Sequence, residues 1–84
     1  MSMRKKYYVV EKGRTKGLFD SWYECESQVS GYKGARYKSF SNLAEAIDYA
    51  IIEVDDGISY VIDVNRKREW YKTYHEFSEA LLRL

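Results

Sequence analysis

The 84-residue chain contains no proline, one cysteine, one histidine and only five glycines. The lone Cys25 excludes an internal disulfide, and its place in an apolar-periodic segment marks a buried small side chain rather than a reactive thiol. The lone His75 has no Cys or second His at ligand spacing, so no metal site and no cofactor are expected. No apolar run approaches the roughly 18 residues of a bilayer span. Met1 to Lys6 is basic with no apolar stretch behind it, so no membrane helix or signal peptide is expected, and an intracellular, cytoplasmic location is the default. Low-complexity runs are also missing. With 45% apolar residues, the chain reads as one folded domain spanning residues 1–84.

The small net charge of +1 hides a division. Residues 1–41 carry nine Lys and Arg against four acids, a balance of +5, whereas residues 42–84 carry five against nine, a balance of −4. A basic half is joined to an acidic half, and the basic half is also rich in aromatic rings. Cations track a nucleic-acid backbone and rings pack on sugars or bases, so this mixture points to a nucleic-acid partner.

Tyr7 to Lys12 reads as a strand, Gly13 to Gly17 as a glycine-bracketed turn, and Leu18 to Ser21 as the returning strand. Ser21 with Glu24 forms a capping-box pattern that opens a helix with Cys25, Val29 and Tyr32 on one face, and Gly31 stops it. Ala35 to Phe40 is a third strand on which Tyr37 and Lys38 point to opposite faces. Asn42 and Glu45 open a second helix with an apolar stripe through Leu43, Ala46, Ile47, Ala50 and Ile51. Asp55-Asp56-Gly57 is a turn signal. Ile58 to Val64, a turn at Asn65 to Lys67, and Arg68 to Thr73 form a second hairpin, and Thr73 with Glu76 caps a C-terminal helix. The fold class is therefore α+β: a small antiparallel sheet with helices on one face (β-β-α-β-α, residues 6–50), extended over residues 51–84 by a second hairpin and helix. Sliding the chain by 52 residues lays Tyr8 on Tyr60, Val10 on Ile62, Trp22 on Tyr74 and Glu24 on Glu76 without a gap, a weak internal likeness.

Three motifs occur in order without gaps: Y-x-V-x-x-G-x-x-x-G from Tyr8, F-x-x-W-x-E-C from Phe19, and G-A-R-Y-K-x-F from Gly34. Together they resemble the N-terminal hybrid-binding domain of type 1 ribonucleases H, the viroplasmin-like domain. The resemblance implies a module without catalytic residues that binds RNA/DNA hybrid, and duplex RNA more weakly. It further implies that main-chain groups of Gly34, Arg36 and Tyr37 read RNA 2′-hydroxyls. Trp22 and Tyr37 would lie against deoxyriboses, and Lys38 with Tyr8 would hold a DNA phosphate. Two positions depart from the family: Ser39 stands where a second lysine is common, and Glu11 where a basic residue is common on the first strand. Each loss of a phosphate contact predicts weaker, less salt-dependent binding.

Glu53, Asp55, Asp56 and Asp63 are the available acids for two-metal phosphodiester cleavage, but they lie on a helix end, a turn and a strand in too short a segment to scaffold it. No catalysis is expected of this chain, although a ribonuclease H catalytic domain is a natural companion. The competing reading is a protein-interaction or oligomerisation module of the same fold. In that reading the aromatic C-terminal hairpin and helix, with Trp70, Tyr71 and Tyr74, would form a homodimer or recruit a partner.

Overall fold

The computed structural model describes residues 5–54, 57 and 59–84. Arg4 of the basic arm, the turn at Asp55-Asp56 and the strand start at Ile58 lie outside the described residues. The elements run β1 (Tyr7–Lys12), β2 (Lys16–Phe19), α1 (Trp22–Val29), β3 (Arg36–Phe40), α2 (Leu43–Glu53), β4 (Tyr60–Val64), β5 (Lys67–Tyr71) and α3 (Tyr74–Leu82). The α+β class and the order of elements agree with the sequence reading, with strand ends displaced by no more than two residues. No helix among the described residues is long and apolar enough to cross a membrane.

The sheet order is β3-β1-β2-β4-β5. Within the first unit β1 pairs antiparallel with both β2 and β3, as expected. The second hairpin then joins the same sheet, and its β4 lies parallel to β2, so the whole sheet is mixed rather than antiparallel. That position explains why all five residues of β4 are buried. A central strand is covered on both faces and reads as a continuous apolar run instead of an alternation.

The helices also depart from the one-sided arrangement expected. Val9, Leu18, Tyr60, Ile62 and Val64 share one core with Ala46 and Ala50 of α2 and Phe77, Ala80 and Leu81 of α3. Val10, Phe19 and Val61 form a second core with Cys25 of α1. Successive strand residues point to opposite faces, so α1 covers one side of the sheet and α2 with α3 the other. Burying a side chain such as Phe77 or Leu81 contributes roughly 1.5–3 kcal/mol, and the larger core therefore anchors the C-terminal hairpin and helix to the first unit. In the smaller core, burial first and the Glu26 carboxylate second push the Cys25 thiol up to about 11, which keeps it protonated at neutral pH.

Two bracketing glycines have packing reasons. A Cβ on Gly13 would lie 2.8 Å from the Gln28 carbonyl oxygen, and one on Gly17 would lie 1.9 Å from that of Val61. Gly13 thus lets α1 close on the hairpin, and Gly17 lets β4 pair with β2. The caps at Asn42 and Thr73 form, each side chain accepting from a backbone N–H at 3.1 Å, that of Glu45 and that of Glu76. The cap expected at Ser21 does not: its side chain makes no capping bond, and Glu24 turns instead to Arg68 on β5.

Asn65 and Arg66 make the two-residue turn between β4 and β5 with φ of 55° and 62°. Such a turn needs left-handed backbone at both central positions, which a residue with a Cβ adopts at a cost of about 1–2 kcal/mol. Arg66→Gly is therefore expected to stabilise the protein by about 1 kcal/mol, seen as a rise of roughly 5 °C in Tm by calorimetry. A fall in Tm would show that Arg66 makes a compensating contact.

The internal likeness has a spatial counterpart. The hairpin-helix units β1-β2-α1 and β4-β5-α3 are related by a half-turn about an axis in the sheet, perpendicular to the strands, plus a shift of two strands. This reverses strand direction and swaps faces, as the parallel β2–β4 junction and the opposed α1 and α3 require. The ring pair survives the operation: Tyr8 and Trp22 lie 5.7 Å apart, and Tyr60 and Tyr74 lie 6.3 Å apart.

Candidate nucleic-acid interface

Register places the site on the α1 side of the sheet edge. Val10 on β1 faces the smaller core, so Tyr8, two residues earlier, faces the same way. On β3 the partner of Val10 is Tyr37, and the partner of Tyr8 is Ser39. Trp22 opens α1 above them. Its ring centroid lies 5.7 Å from that of Tyr8 and 5.6 Å from that of Tyr37, with the planes tilted by 49° and 46°. Tilted contacts at this spacing are favourable for rings and hold the three as a continuous surface. Trp22 and Tyr37 each remain 44% exposed, so the ladder is open to a ligand.

Beside the ladder, the loop between α1 and β3 presents backbone. Gly34 takes the third place of a turn closed by the Ala35 N–H to the Tyr32 carbonyl at 3.2 Å, and its φ of 76° favours glycine. A Cβ on Gly34 would meet nothing within 4 Å, so this glycine answers a backbone requirement and leaves its amide surroundings open. Arg36 begins β3 at the edge of the sheet and is exposed.

Lys38 lies elsewhere. Its partner is Val9, on the α2 side, and its Nζ rests 5.5 Å from the Phe40 ring and 5.2 Å from the Tyr49 ring. The sequence reading separated Tyr37 from Lys38 correctly but joined Lys38 with Tyr8 at one phosphate; the strand alternation sets those two on opposite faces. Lys38 is thus placed over the rings of the α2 side, while Tyr8 packs against Trp22.

Glu11 likewise belongs to the α2 side. It is only 8% exposed, its carboxylate accepts a hydrogen bond from the Tyr49 hydroxyl, and it lies 4.0 Å from the Arg36 guanidinium. That hydrogen bond is the first cause, with burial next, of a Tyr49 phenol pushed up to about 12. Glu11 therefore tempers Arg36 rather than the ring surface. Ser39 is the departure that touches the ladder, since it stands directly across from Tyr8.

Lys5, in the basic N-terminal segment, is tied down: its Nζ lies 3.0 Å from Asp20 and 3.2 Å from the Asn65 side-chain oxygen. Arg14 donates to the Ser27 and Gln28 carbonyls, each at 3.4 Å, and so serves the end of α1. Among the described residues no group of three His, Cys, Asp or Glu side chains is arranged to hold a metal ion. Of the acids weighed for catalysis, Asp63 pairs with Arg68, and Asp55 and Asp56 lie outside the described residues.

A tilted ring ladder on an open sheet edge, flanked by a glycine turn, is an open surface rather than an enclosed pocket. Residues 6–50 match the Ribonuclease H1 N-terminal domain, and the chain belongs to that family. It is 47% identical over 47 residues to a ribonuclease H of Crithidia fasciculata, covering 56% of this chain and 10% of that protein. It is 44% identical over 46 residues to ribonuclease H of Saccharomyces cerevisiae, covering 55% and 13% respectively. Against ribonuclease H1 of Mus musculus the identity is 45% over 40 residues, or 48% and 14%. The chain thus spans only a small part of the length of these relatives, and the match is to the N-terminal domain.

Proposed function

We propose that this chain is a non-catalytic module that binds RNA/DNA hybrid in the minor groove, with duplex RNA a weaker ligand. Family membership supports nucleic-acid binding as the general role, and the Tyr8-Trp22-Tyr37 ladder beside the open Gly34 turn carries the finer reading. A minor groove of A-like shape is wide and shallow and displays 2′-hydroxyls, which backbone groups of Gly34, Arg36 and Tyr37 meet on the RNA strand. On the other strand the rings of Trp22 and Tyr37 lie flat against deoxyriboses, where an added hydroxyl would clash. Discrimination then rests on one strand having hydroxyls and the other lacking them. A ribonuclease H catalytic domain is the proposed companion, and the module acts inside the cell.

Fluorescence anisotropy with matched hybrid, duplex RNA and duplex DNA at two salt concentrations tests this. Hybrid should bind most tightly and weaken with salt. The interaction-module reading draws on one observation, Trp70 standing 56% exposed on the outer strand β5. Equal, negligible binding to all three duplexes would favour it.

Ser39 offers a gain-of-function check. Ser39→Lys places an ammonium across from Tyr8 on the ring face, so it should raise hybrid affinity about tenfold at low salt. The slope of log affinity against log salt should steepen by about one. An unchanged slope would mean that no phosphate passes this edge.

A further inference from the structure

The short segment that carries Trp22 is fastened on both sides to the second hairpin. Before Trp22, the Asp20 N–H donates to the Asp63 carbonyl at 3.1 Å, and the Asp20 carboxylate accepts from the Asn65 N–H at 2.8 Å. After it, Glu24 pairs with the Arg68 guanidinium. That guanidinium is itself fixed, because Nε and a terminal nitrogen of Arg68 each lie 2.9 Å from the same oxygen of Asp63. Asp63 is nearly buried, and a planar guanidinium gripped through two nitrogens has little freedom to swing. The usual serine cap is missing at this helix end, so these contacts set where α1 begins.

Asp63, Asn65 and Arg68 all lie outside the segment matched to the family. We propose that the β4–β5 hairpin is a positioning element for the nucleic-acid interface: Arg68, held by Asp63, fixes the first turn of α1 and thereby seats Trp22 between Tyr8 and Tyr37. The proposal rests on the hybrid-binding reading for its consequence, but its geometric content can be measured without a ligand. A surface ion pair that only added stability would change Tm and leave the indole in place. A positioning pair changes both the indole and the affinity.

The test uses the whole chain in a Trp70→Phe background, so that Trp22 is the one remaining indole of the two. Arg68→Met removes the post, and Glu24→Ala removes only the α1 end of the pair while Arg68 keeps Asp63. Either change should lower the steady-state emission anisotropy of Trp22 in the free protein. Each should weaken binding of a fluorescein-labelled hybrid roughly fivefold, the coupling typical of neighbouring residues. In a Trp22→Ala background the same changes should produce no further loss.

An unaltered indole signal in both variants overturns the proposal, as does an equal loss of affinity with and without Trp22. If the parent protein does not bind hybrid, the functional reading fails while the indole measurement still decides the positioning claim. Should Arg68→Met unfold, Glu24→Ala alone decides, since truncating the half-buried Glu24 leaves the Asp63–Arg68 pair intact.

Discussion

Replacing Trp22 with alanine is expected to lower affinity for RNA/DNA hybrid by about one to two orders of magnitude while leaving Tm within a few degrees. The size follows from ring stacking, worth roughly 1–3 kcal/mol per contact by alanine truncation. Here the indole is the middle member of the ladder, touching Tyr8 on one side and Tyr37 on the other, so its removal also breaks the continuity of the surface. The small effect on folding follows from its position: Trp22 is 44% exposed and lies outside both cores, whose members on this face are Val10, Phe19, Cys25 and Val61. Equilibrium binding by anisotropy, with a thermal melt on the same sample, separates the two quantities. Unchanged affinity would remove the ladder from the interface.

The second large effect is on stability. Gly17→Ala should unfold the protein at room temperature or lower its Tm by roughly 20 °C or more. The backbone at Gly17 has φ of 152° and sits opposite Val61 in the β2–β4 ladder, so a methyl group there projects into the space between strands instead of onto a sheet face. It would meet the Val61 carbonyl oxygen at 1.9 Å, which only separation of the two strands relieves. Losing that junction breaks the strand pairing that joins the second hairpin to the sheet and disturbs the core beneath it. A penalty of about 4–5 kcal/mol is at the extreme of single substitutions and is comparable to the whole stability of a small domain. Gly34→Ala is the control. It shares a positive φ but has open space around it, so it should cost only about 1–2 kcal/mol. Circular-dichroism melts of the two variants make the comparison, and equal effects would show that the β2–β4 approach is looser than described.

How far the sequence disclosed this arrangement depends on whether the information was local. Asn42 with Glu45 and Thr73 with Glu76 announced their helices because a cap is a contact three residues long. The first hairpin was legible from its glycines and alternation. Ser21 with Glu24 also marked its helix start, with Ser21 at the N-cap position, but no side-chain capping bond forms there, and Arg68, 44 residues further on, takes the glutamate. No spacing rule anticipates a partner at that distance. The parallel junction of β2 with β4 was hidden for the same reason, although the unbroken apolar character of Tyr60, Val61 and Ile62 was a sign of a strand covered on both sides. At the site, the ring trio came together as its residue types suggested. Lys38 and Tyr8 lie on opposite faces, which strand parity dictates: with the two strands in register, Tyr8 falls opposite Ser39, leaving Lys38 opposite Val9.

The half-turn that relates the two hairpin-helix units bears on how such a surface arises. Carried through the operation, Tyr8 becomes Tyr60 and Trp22 becomes Tyr74, but Tyr60 is fully buried and the Tyr74 hydroxyl donates to the Ile51 carbonyl of α2. Where Tyr37 stands across from Val10, the equivalent neighbour of Ile62 is the aliphatic Leu18. One lid of eleven residues, α2, therefore separates an open ring face from a hydrophobic interior built on a common template. A lineage that gained or lost such a lid would trade ligand for packing without redrawing the strands beneath it.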